Sequence, residues 1–117
     1  MILTLQFMLG GAGYVLLELL YRRKSHISMF IAGGVSLLWI LTLADLAIPF
    51  MIKCVIAGLG ITAVEFTIGC VVNLALHLHV WDYSTKPVNI LGQICLPYTA
   101  LWCVLSGVVL GALELLQ

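Results

Sequence analysis

Glu65, Gly69, Asn73 and His77 recur at steps of four, so on a helix they share one face. Glu65 is the twelfth residue of a long apolar stretch, which puts it near the middle of a bilayer. An ionised carboxylate there costs at least about 2.5 to 3.5 kcal/mol, so Glu65 must be protonated, paired or wetted. An acid, a gap, an amide and an imidazole in one row make a polar path from mid-membrane to the cytoplasm. The same row would equally serve as a buried network joining helices.

A second group precedes it. Tyr14, Glu18 and Arg22 are also spaced by four, and Glu before Arg at that spacing is the favourable orientation for a helical ion pair. Glu18 and Arg22, with Ser25, His26 and Ser28, are read as the cytoplasmic wall of the cavity that Asn73 lines. The alternative is an interfacial salt bridge that fixes the depth of the first helix.

Residues 77–93 form the third group, and Asp82, Tyr83, Asn89 and Gln93 complete the candidate substrate or ion pathway. Trp81 and Tyr83 suit a membrane interface, where one end of a ring is dry and the other wet. Pro87 favours extended or turning chain before it, and Asn89 is placed to cap the helix that follows. His77, His79 and Asp82 do not add up to a metal site, because helical residues two apart face different ways and a fourth ligand is lacking. Neither a metal nor a cofactor is expected. Cys54, Cys70, Cys95 and Cys103 lack the spacing of a zinc site or a disulfide framework and read as small packing residues.

The elements that position these groups follow from composition. Of 117 residues, 63% are hydrophobic and 9% charged, against about a quarter charged in a soluble domain. The formal net charge is zero, so nucleic acid is not an expected partner, and the lipid bilayer is. Apolar stretches at about 2–21, 27–48, 54–76 and 94–116 are each long enough to cross roughly 30 Å of hydrocarbon as a helix. They are apolar on all sides, unlike barrel strands. The expected fold is all-α: a polytopic membrane protein, one domain over 1–117, a bundle of four transmembrane helices.

Met1 runs directly into apolar residues, so the start is not read as a removed signal peptide. Arg22, Arg23, Lys24 and Lys86 lie on one side of the bundle and Lys53 on the other, which places both termini outside the cytoplasm. Glycines are dense, and Gly107 and Gly111 form a GxxxG step that continues back to Cys103. Some of these faces are expected to meet a second copy, giving a homo-oligomer with a dimer favoured.

The run Trp81, Asp82, Tyr83, Ser84, then Pro87, Asn89, Gly92, Gln93, Ile94, Cys95, Leu96 and Trp102 resembles the bacterial membrane family of putative ABC-transporter type IV, or CmpB-like, proteins. Glu65 with Gly69, and Gly13, Tyr14 and Glu18, fit the same pattern. Longer members carry Asn-Arg-Gly and Gly-Pro after the first span, where this chain has RRKSHISMFIAGG. The resemblance implies a permease role at the bacterial inner membrane. The chain has no phosphate-cradling string ending in Gly-Lys-Ser or Gly-Lys-Thr, so an ATPase would be a separate subunit. Size and layout are also similar to small multidrug-resistance exporters, whose acid, however, sits in the first span.

Three functions follow. The first is a permease or channel-like protein whose polar pocket, open to the cytoplasm, has Glu65 at its inner end and the WDYS segment at its rim. The second is an assembly or regulatory membrane subunit. An enzyme ranks last, because no nucleophile and base stand at diagnostic spacing.

Overall fold

The computed structural model describes residues 2–22 and 26–116. Four helices form the chain: α1 (Ile2–Arg22), α2 (Ile27–Ala44), α3 (Phe50–Gly69) and α4 (Leu96–Leu115). All four are long and apolar enough to cross a membrane. A π-helical turn, Cys70–Ala75, extends α3, and a small antiparallel pair, β1 (Asn89–Ile90) and β2 (Ile94–Cys95), precedes α4.

The helix ends differ from those expected by marking off charges. α2 stops at Ala44 rather than 48, and α3 starts at Phe50 rather than 54. Pro49 explains both: it disfavours helix at the residue before it and pre-sets the backbone for a helix after it. Lys53 stays inside α3 because its ammonium reaches back 2.9 Å to the Ala44 carbonyl at the end of α2. A cation at that terminus satisfies an orphan carbonyl and opposes the negative end of the helix dipole. α4 begins at Leu96 rather than 94, since Ile94 and Cys95 are taken up in pairing with Ile90 and Asn89.

Two hairpins are each fastened by reciprocal small-residue contacts. Where α1 crosses α2, a Cβ on Gly10 would stand 2.5 Å from the Gly33 carbonyl, and one on Gly33 would stand 2.5 Å from the Gly10 carbonyl. Only glycine permits that approach. Phe7 then covers Gly34 while Phe30 covers Gly11, and the two rings meet edge to face at 6.1 Å. In the second hairpin Cys103 lies against Gly58 and Cys54 against Gly107, so each sulfur fills the gap left by a glycine on the facing helix. All four cysteines are free, and Cys54 and Cys95 are buried. Thr62 and Thr99 hydroxyls add a 2.9 Å bond between α3 and α4. Trp39 joins the hairpins by packing on Gly60 and donating its indole N–H to the Ile56 carbonyl at 3.2 Å.

Candidate functional site

Glu65 lies in α3 with 5% of its surface exposed. Its Oε2 accepts from the Tyr83 hydroxyl at 3.1 Å, and its Oε1 accepts from the Trp102 indole N–H at 3.4 Å. One donor comes from the segment between α3 and α4 and the other from α4. Burial, and then the Glu65 charge, push the Tyr83 phenol well above its ordinary range, which keeps it protonated and able to donate. Glu18 is half-buried on α1.

One turn on, Gly69 is a seat. A Cβ there would come within 2.7 Å of Gln93 Oε1 and 2.9 Å of the Trp81 ring. Trp81 fills the space and donates its indole N–H to the Gln93 carbonyl at 2.9 Å. Asn73, another turn along, is buried and works at both ends of its amide. Its Oδ1 accepts from the backbone N–H of Val80 at 2.6 Å and of Trp81 at 3.4 Å, and its Nδ2 donates to Gln93 Oε1 at 2.8 Å. Gln93 Nε2 donates in turn to the Leu91 carbonyl at 3.0 Å. The row Glu65, Gly69, Asn73 therefore faces one object, the folded-back segment carrying Trp81 and Tyr83.

His77 does not continue that row. The π-helical turn adds residues per turn, the helix ends at Ala75, and His77 is exposed in left-handed backbone with φ 55°. Asp82 and Asn89 shape the segment itself. Exposed Asp82 accepts from the Ser84 N–H at 2.9 Å. Asn89 donates to the Ser84 and Lys86 carbonyls at 3.3 and 3.0 Å and accepts from the Gly92 N–H at 3.1 Å, so its amide is spent on the turn and does not cap α4. The residue before α4 is Cys95. Gly92, at φ 72°, has no room for a Cβ beside Asp82 Oδ1. His26 caps α2, its Nδ1 accepting from the Ser28 N–H at 3.1 Å. The Arg22 side chain and Ser25 lie outside the described residues, and so does the Glu18 to Arg22 pair.

Reasoning from the sequence missed two parts of the site. Trp102 is a partner of Glu65, and the signal was available: an indole N–H inside a span needs an acceptor, and Glu65 is the acceptor at similar depth. Tyr98 stacks on Tyr83 at 4.7 Å with rings 11° apart, and Tyr14 meets Trp102 edge to face at 5.7 Å. An apolar groove of about 210 Å³ lies among α1, α2 and α4, lined by Gly13, Leu17, Leu37, Trp102 and Leu105 among others; it borders the site at Trp102 but does not include Glu65.

The family model described as putative ABC-transporter type IV matches residues 6–116, nearly the whole chain. The chain belongs to that family. The match takes in every part of the Glu65 site, from Tyr14 on α1 to Trp102 on α4. No curated protein and no solved structure matches the chain. Family membership and four span-capable helices make it a multi-pass membrane protein of a transport-related family.

Proposed function

We propose that the protein is a small permease or channel-like membrane subunit of the bacterial inner membrane, in which the segment after α3 plugs a cytoplasm-facing site around Glu65. The observation that carries the reading is that a mid-span carboxylate is bonded to Tyr83, a side chain delivered by a non-helical segment rather than by a neighbouring span. Withdrawal of that segment would remove Trp81 from Gly69, Gln93 from Asn73 and Tyr83 from Glu65 together. An acid and an amide would then face water, able to take a proton, an ion or a small polar solute. In this reading both termini are extracytoplasmic, the working unit is a homodimer, and any ATP is hydrolysed on a separate chain.

A second reading, an assembly or regulatory subunit, is favoured by how fully Asn73, Gln93 and Trp81 bond to one another. Proteoliposomes loaded with a pH-sensitive dye separate the two. Trp81→Ala or Tyr83→Phe should open a leak that an added Glu65→Gln closes. If both variants stay folded and sealed, the transport reading fails and the subunit reading stands.

A further inference from the structure

Between the end of the π-helical turn and the start of α4 the chain turns six large apolar side chains outward. Leu76, Leu78, Val88, Ile90, Leu91 and Leu96 are each 50 to 69% exposed. Val71 and Leu74 carry the same outward apolar character on the π-helical turn before them. Soluble surfaces scatter such residues singly, whereas here they recur through one non-helical segment.

Much of the backbone of this segment is paired within the protein. Asn73 takes the N–H groups of Val80 and Trp81, Asp82 takes that of Ser84, and Asn89 takes that of Gly92. The Tyr83 N–H goes to the Gly92 carbonyl at 2.7 Å and the Lys86 N–H to the Tyr83 carbonyl at 2.9 Å. Irregular backbone near lipid is tolerated only when its polar groups are paired inside the protein. Val88 at φ 51° and Leu91 at φ 54° hold left-handed turns where a solvated loop would normally place Gly or Asn. The exposed polar side chains of the segment are His77, His79, Asp82 and the run 84–86, which ends on Lys86. Exposed apolar side chains interleaved with polar ones, a tip that carries a cation, and a largely paired backbone match the chemistry of a phospholipid interface, where apolar and wet groups meet.

We propose that the segment between α3 and α4 lies within the lipid interface as a re-entrant lip, with Val88, Ile90 and Leu91 against acyl chains and 84–86 among the headgroups. The proposal does not depend on what the Glu65 site carries. It is tested on the full chain in vesicles of phosphatidylethanolamine and phosphatidylglycerol. A fluorophore is attached through Ile90→Cys, Leu91→Cys or Thr85→Cys, with the parent protein as background. A nitroxide on the upper acyl chain should quench the label at 90 and 91 several-fold more than at 85, and aqueous iodide should show the reverse order. Far-ultraviolet circular dichroism checks that each variant keeps its helices. Equal or greater iodide quenching at 90 and 91 than at 85 would overturn the proposal. Shielding at 90 and 91 in native membranes that is lost in pure lipid would overturn it too, and would give the surface to a protein partner.

Discussion

Two side chains hold the segment after α3 against the bundle, and they do so by different physics. Tyr83 contributes a hydrogen bond to Glu65 inside the bundle. Such bonds in membrane proteins average about 0.6 kcal/mol and reach about 1.7, so Tyr83→Phe should lower thermal stability in detergent only slightly. Trp81 contributes a buried ring, and truncating a buried large aromatic costs about 3 to 5 kcal/mol, so Trp81→Ala should lower it far more in the same assay. Asp82 adds a dependence on pH. The Ser84 N–H, and then the Ser84 hydroxyl, hold its carboxyl below the ordinary carboxylate range. A folded-state pKa below the unfolded value of about 3.9 contributes stability that is fully present above that pH and is lost as pH falls through the folded value. Hydrogen exchange at the Ser84 amide should therefore be faster in Asp82→Ala than in the parent at pH 6, with the difference vanishing in strong acid. The Glu65, Gly69, Asn73 stripe was legible because four-residue spacing is intrinsic to a helix. Its pairings with the segment were not, since the bonds of Glu65 to Tyr83 and of Asn73 to Gln93 depend on how the chain between α3 and α4 folds back, which no local pattern encodes.

Among the elements, the ends of α2 and α3 carry the lesson. Charge was read as the edge of a span, and Lys53 shows why that fails: a lysine within a helix can send its ammonium to the terminus of the helix beside it. Lys53→Met keeps an apolar stem and removes the donor, leaving the Ala44 carbonyl without this partner. The expected loss is about 1 kcal/mol, read as a lower midpoint of thermal unfolding in detergent. The π-helical turn was equally hidden, because the residues 70–75, CVVNLA, are as compatible with an α-helix. What selects the wider turn is tertiary, the bonding of Asn73 to a segment that folds back over it. Gly69→Val tests that coupling. Its side chain would collide with Gln93 and Trp81, so the indole should move to a more polar setting and its fluorescence shift to the red.

At the scale of the molecule, apolar length and the dearth of charge were enough to give four helices and their order, because a bilayer leaves few other ways to pair a backbone. Orientation rests on the basic residues alone. An impermeant maleimide should label Thr85→Cys only from the cytoplasmic side; labelling in intact cells would invert the protein. The two fastened hairpins bear on how the chain is made. The first, α1 against α2, locks glycine to glycine, and the second locks cysteine into glycine, whereas α1 rests almost wholly on α2. Every residue needed for the first lock precedes α3 in the chain and is synthesised before it. The gene should thus tolerate being cut between codons 47 and 48, with the two halves, made from separate messages, recovering each other in the membrane and purifying together.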